Sequence, residues 1–240
     1  MKANDTIRKE FLTNPAGRIR IALEENASAE YLVLQDGAEA AAGETFWEIS
    51  LPEGASLKMV FLSLDGSVSN HLDIALAGGR ASCDLSGLSL ASGTQQMDYD
   101  IRMTHLVPDC QSNQLFKTLV ADQAVTHFDG LVKVVPDAQR TEAYQANHNL
   151  LLSEQAHAFT RPQLEIYADD VKCSHGATIG RLNADELFYM RSRGIRAEEA
   201  RLLQQLAFAG EIVDRIPTPE WCEKMHVLVE KRLRSAFSSC

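Results

Sequence analysis

From Arg18 to Thr178 the chain is written in short alternating runs. Arg18-Ile19-Arg20-Ile21-Ala22-Leu23 puts every second residue on an apolar face, as a half-buried strand does. Tyr31–Leu34, Thr45–Ile49 and Leu57–Leu64 follow, each bounded by Gly, Asp, Asn or Pro. His71–Leu76 alternates again. In Met97–Leu106, Tyr99, Ile101 and Met103 share one face, and Asp98, Asp100 and Arg102 the other. Asp65-Gly66 and Gly78-Gly79 are turn signals. Many strands without intervening helices allow a sandwich, a closed barrel or a solenoid. His105, His127 and His148 recur at intervals of 22 and 21 residues, which favours a solenoid with a rung of roughly 20 residues.

Beyond Thr178 the period becomes helical. Asn183 reads as an N-cap with Glu186 completing a capping box, and Leu182 and Leu187 occupy the staple positions. Gly194 ends this helix after Arg191 and Arg193. A second helix is predicted over 197–215, with an apolar stripe of Ala200, Leu203, Leu206, Ala207, Gly210 and Val213. Ile216-Pro217-Thr218-Pro219 breaks it. Thr218 then caps a third helix with Pro219 at its first position, and Trp221, Met225, Leu228 and Val229 form its apolar side. The expected division is a tail over 1–17, a β domain over 18–180 and a small helical domain over 181–240.

Composition narrows the function. The 240 residues carry 23 basic and 33 acidic side chains, a net charge of −10, which argues against a nucleic-acid or anionic-membrane binder. No run approaches the roughly 20 apolar residues of a membrane helix. Met1–Glu10 alternates charges and has no apolar secretory core. The five cysteines are widely spaced with no CxxC, so reduced thiols in a cytoplasmic protein are expected rather than a disulfide framework. Nucleotide-binding loops, the GxSxG elbow and HExxH are all missing from the sequence.

One segment carries chemistry. If the chain from Val171 to His175 is extended, Cys173 and His175 project from one face and offer two ligands for iron or zinc. Two ligands do not close a site, and a buried thiol beside a hydrogen-bonded imidazole is the competing reading. Asp169 and Asp170 lie close enough in sequence to orient the imidazole. His71, His105, His127, His148 and His157 read as structural or solvent-facing. Cys83 and Cys110 read as interior fillers, Cys222 as packing and Cys240 as a chain end.

The run from Pro162 through Cys173-Ser174-His175-Gly176-Ala177-Thr178, followed by Leu187-Phe188-Tyr189-Met190-Arg191-Ser192-Arg193-Gly194-Ile195, resembles the signature of the SufB/SufD family. The upstream stretch Phe128-Asp129-Gly130 through Leu150-Leu151-Leu152-Ser153 is similar too. These proteins are scaffold subunits of the SUF iron–sulfur cluster assembly machine. The Cys-Ser-His-Gly form is closer to the SufD type than to the SufB type, whose cysteine segment is missing upstream. Family members usually carry a further helical N-terminal region, and this chain starts almost directly in its β region.

The resemblance implies a right-handed parallel β-helix followed by a small helical domain. It implies a non-catalytic subunit that pairs with a SufB-type subunit through the β-helix and docks a SufC-type ABC ATPase through its C-terminal helices. Phe188, Tyr189, Arg191, Ser192, Arg193, Gly194 and Ile195 are then candidates for the ATPase surface. His175, with Cys173 beside it, is the candidate for cluster assembly at the subunit interface. The cluster would be transient in the complex and not tightly held by the isolated chain, which could homodimerise. Two other readings stay open: a β-helix enzyme acting on acidic polysaccharide, and a solenoid that only binds protein.

Overall fold

The computed structural model describes residues 7–37 and 44–237. Among these residues thirteen strands alternate between two sheets. The first sheet holds β1 (Arg8–Thr13), β3 (Ser28–Gln35), β5 (Ser56–Ser63), β7 (Ser82–Ala91), β9 (Gln111–Val120), β11 (Glu142–Leu151) and β13 (Lys172–Gly180), in that spatial order. The second holds β2 (Gly17–Ala22), β4 (Glu44–Leu51), β6 (Val68–Leu76), β8 (Gln96–His105), β10 (Val125–Val134) and β12 (His157–Ile166). Every pairing is parallel, so the fold is a β-solenoid, as expected. Three helices follow: α1 (Ala184–Ser192), α2 (Ala197–Val213) and α3 (Pro219–Ala236).

The rung is longer than the histidine spacing suggested. Cys83 lies beside Ser112, Ser112 beside Ala143, and Ala143 beside Cys173, advances of 29, 31 and 30 residues. Each rung needs two strands of up to ten residues plus two turns, which 20 residues cannot supply. The three histidines do not stack. His105 is interior, His127 sits on an outer face against Asp98, and His148 bonds Thr178. The expected tail also contains structure, because β1 pairs with β3.

Turn chemistry repeats at the true period. Asn26, Gly54, Arg80, Asp109 and Arg140 all take positive φ at successive returns into the first sheet. Small, fully buried residues come straight after four of them: Ala55, Ala81, Cys110 and Thr141. The backbone N–H of Asp109 donates to Gln139 O, and Arg140 forms a bidentate pair with Asp109.

Burial separates the two sheets. β6 and β8 alternate strictly, with one face inside and one in solvent. β5, β7 and β9 begin by alternating and then are buried on both faces. The reason is a second core outside the first sheet. Leu32, Leu34, Val60, Leu62, Leu88, Leu90 and Leu119 pack there against Leu202, Ile212, Met225, Val229, Leu233 and Phe237 of the helical segment. Lys117, nearly buried, donates to Phe208 O at 3.3 Å, pairs with Glu211 and lies over the Phe208 ring. The helical segment is therefore part of the solenoid's wall. α2 buries Ala200, Leu202, Gln205, Ala209, Ile212 and Val213, a face rotated from the predicted stripe. Leu203 is left exposed. α2 is apolar on more than one side, and the sheet selects which side is covered.

Between the sheets runs an aromatic column: Trp47, Phe61, Tyr99, Phe116 and Phe128, with successive ring centroids 5.1–5.8 Å apart. Gly87 makes it possible, since a Cβ there would lie 2.4 Å from the Phe116 ring. Trp47 Nε1 and Tyr99 OH end on a buried polar set of Asn70, Gln35 and Ser63.

His105 is fully buried. Its Nε2 faces Ser112 Oγ at 2.9 Å and its Nδ1 has no partner among the described residues. Burial disfavours the charged imidazole and pushes its pKa down to about 4. The unfolded chain binds this proton near pH 6.5, before the folded chain does. Stability is thus unaffected by His105 above pH 6.5 and falls as pH drops towards 4, by up to about 3 kcal/mol. Urea midpoints across pH 4–7.5 check this. His105→Gln should flatten the profile, and an unchanged slope in that variant would exclude His105 as its source.

Candidate functional site

Among the described residues, β12 and β13 are the last strands of their sheets, so the solenoid ends on two adjacent unpaired edges. β13 carries the Cys-Ser-His-Gly-Ala-Thr segment. Its ends are fastened to β11: Lys172 Nζ pairs with Glu142 at 2.7 Å, and His148 Nδ1 meets Thr178 Oγ1 at 2.9 Å. Apart from Cys173, every residue of β13 is exposed. A nine-residue exposed edge is a template for another chain's strand unless something covers it.

Cys173 and His175 share the inward row of β13, as the spacing predicted. Cys173 continues the row of Cys83, Ser112 and Ala143 and packs on the interior core. Burial raises its thiol pKa, so the thiol form is favoured. His175 stands in register with Gln145, which stands in register with Gln114. Gln145 Nε2 donates to Gln114 Oε1 at 3.2 Å, while Gln145 Oε1 is buried without a partner among the described residues. Gly130, on the facing sheet, gives Gln145 its room: a Cβ there would fall 2.5 Å from Gln145 Nε2. A polar file thus runs along the interior and reaches the open end at His175.

His175 itself is exposed, and no described side chain bonds its imidazole. The expected help from Asp169 and Asp170 is not found. They lie in the turn before β13, where the Asp170 backbone is tied to Gln139 and Arg140. Extended backbone carries His175 up the edge and away from that turn.

A second surface adjoins the first. Asn183 Oδ1 accepts from the backbone of Asp185 and Glu186, starting α1 as predicted. The other half of the capping box is replaced: the Asn183 N–H donates to Gln204 Oε1, and Gln204 Nε2 donates to Glu186. This pins α1 to α2. Gly194, at φ 87°, closes α1, with its N–H on Arg191 O and the Ile195 N–H on Met190 O. α1 buries none of its residues; Phe188 is 74% and Tyr189 59% exposed. Arg191, Ser192, Arg193 and Gly194 are exposed as well, and Arg193 lies over the Tyr189 ring. Beside them opens a groove of about 760 Å³ lined by Leu150, Leu182, Tyr189, Met190, Leu203 and Phe208.

Residues 6–208 match the family described as "SUF system FeS cluster assembly, SufBD core domain". The chain belongs to the SufBD family of the SUF iron–sulfur cluster assembly system. Among curated SufBD relatives it is similar to the iron–sulfur cluster assembly protein SufD of Escherichia coli, 37% identical over 170 residues, 70% of this chain and 40% of that protein. A SufBD family protein of Synechocystis is 42% identical over 161 residues, 67% of this chain and 36% of the relative. The chloroplastic protein ABCI7 of Arabidopsis thaliana is 33% identical over 214 residues, 88% and 44% respectively. The chain thus spans about two fifths of the length of these relatives. Among its described residues, no helix is long and apolar enough to cross a membrane.

Two features emerge only in the structure. Leu203 reads as part of the α2 stripe and Leu182 as a staple residue, and Phe208 carries no signal of its own; only the α1–α2 geometry brings the three to one groove. His226 stands four residues after Cys222, a spacing that puts both on one helix face. Cys240 lies outside the described residues.

Proposed function

We propose that this chain is a SufD-type, non-catalytic scaffold in cytoplasmic iron–sulfur cluster assembly. Its open solenoid end pairs with a SufB-type subunit, and α1 with its groove receives a SufC-type ATPase. The observation that carries the reading is the exposed, firmly anchored edge strand β13, with His175 on its inward row. A strand in this position gains hydrogen bonds only from another chain. Phe159 and Ile179, 57% and 49% exposed, flank this end with apolar surface that pairing would cover. The cluster is cargo: His175 contributes one ligand or proton-transfer group, and the partner chain contributes the others. On the second sheet's outer face, the exposed Arg18 and Arg20 pair with Glu48 and Arg161 with Asp129, so each of these cations is matched by a carboxylate, which disfavours an acidic polysaccharide.

Mixing the chain with SufB-type and SufC-type subunits tests this. The expected product is a ternary complex that elutes together on size exclusion. The double variant Phe188→Ala/Tyr189→Ala alters two exposed side chains and should keep the SufB-type subunit while ATPase affinity falls about tenfold or more, a loss of at least 1.4 kcal/mol. ATPase binding unchanged in that variant removes α1 from the docking surface. No complex with either subunit overturns the proposal.

A further inference from the structure

Among the described residues, one group of metal-ligating side chains converges outside the solenoid end. Asp214, Cys222 and His226 bring their ligand atoms within 4.8 Å of one another. Local structure explains the meeting. Asp214 is the C-cap of α2, and the Ile216–Pro219 break turns the chain back so that α3 starts beside it. Cys222 and His226 are one turn apart on α3 and share a face. His226 Nε2 lies 2.8 Å from Asp214 Oδ1, and Cys222 Sγ donates to Val213 O at 3.4 Å.

The electrostatics of this corner favour a cation. The C-terminal end of α2 carries the helix's partial negative charge, and its last turn contains no basic residue. Asp214 adds a full negative charge there, and Glu223 lies next to Cys222. Burial, then these two carboxylates, raise the Cys222 thiol pKa. A bound divalent ion reverses that balance: the thiol gives its proton to solvent and the sulfur becomes a ligand.

We propose that Asp214, Cys222 and His226 form a solvent-accessible site for a borderline divalent cation of the zinc class. One thiolate, one imidazole and one carboxylate match that class, and three protein ligands leave a fourth position for water. Zinc–ligand bonds of about 2.0–2.3 Å call for ligand separations near 3.5 Å. The site can tighten to this, because the His226 and Asp214 side chains are 46% and 69% exposed and free to change rotamer. The inference does not rest on the cluster-assembly reading, since neither β13 nor α1 takes part in it.

Titration of the reduced, metal-free chain with Co²⁺ is the test. The wild type should take up one equivalent with a thiolate-to-cobalt charge-transfer band, and Zn²⁺ should displace it. Cys222→Ser should abolish the band, and His226→Gln should weaken Co²⁺ binding about tenfold or more. Cys173→Ser should keep the band, which separates this site from the solenoid end. Thermal melts of the metal-free variants confirm that each remains folded. No band in the wild type, a band that survives Cys222→Ser, or one lost in Cys173→Ser overturns the proposal.

Discussion

His175→Ala is expected to leave the chain folded and to reduce cluster formation in the complete SUF complex by at least about tenfold. The argument separates structure from chemistry. The His175 side chain is exposed and unpartnered among the described residues, so removing it should change stability by less than about 0.5 kcal/mol. Its position is nonetheless defined, because β13 is held by its ladder to β11 and anchored near both ends. A large effect must then come from what His175 meets on another chain. Cys173→Ala should act the other way. That side chain packs on the interior core, so its loss should lower stability by about 1 kcal/mol. Burial keeps the thiol protonated, so its loss should reduce assembly less than that of His175. The measurement is the rate of cluster absorbance in the reconstituted complex, with thermal melts alongside. Wild-type rates from a folded His175→Ala complex would return His175 to a structural role.

Deleting everything after Arg181 is expected to destroy the folded solenoid rather than only remove a docking module. Leu202, Ile212, Val213, Met225, Val229, Leu233 and Phe237 are buried on or near the first sheet. At about 1.5–3 kcal/mol for each buried side chain, their loss exceeds 10 kcal/mol, against a typical domain stability of roughly 5–15 kcal/mol. The deletion also bares the outward face that includes Leu32, Leu62, Leu88 and Leu119, a broad apolar sheet surface. Aggregation on expression, or a molten far-UV spectrum without a cooperative melt, is the expected outcome. A truncated chain that melts cooperatively near the wild-type temperature would show that the two segments fold independently. For the same reason ATPase docking is better tested by exposed substitutions on α1 than by truncation.

The residues themselves determined the strand-rich region and the helix limits, while the parallel β-helix followed from the family resemblance. Strict alternation in 71–76 and 97–106 reported a half-buried sheet, and β6 and β8 are such strands. Asn183, Gly194 and Pro219 marked helix ends because capping depends on a few local hydrogen bonds and φ angles. The pairing of Cys173 and His175 on one row followed from the period of two. The rung length was also present, in the small residues Ala55, Ala81, Cys110 and Thr141 after successive turns, but the histidines gave a shorter false period.

What the sequence left open depended on neighbours distant along the chain. Leu57–Leu64 reads the same whether one face or two are covered, and only α2 and α3, about 140 residues later or more, decide it. The buried face of α2 was chosen by the sheet and not by its own stripe. Gln204, 18 residues beyond Glu186, replaced half of a capping box. The convergence of Asp214 with Cys222 and His226 required the turn between two helices. Local rules act over a few residues, whereas burial is settled by whatever surface arrives opposite. That is why elements and rows were legible in the sequence, and why the covered faces and the second core appeared only in three dimensions.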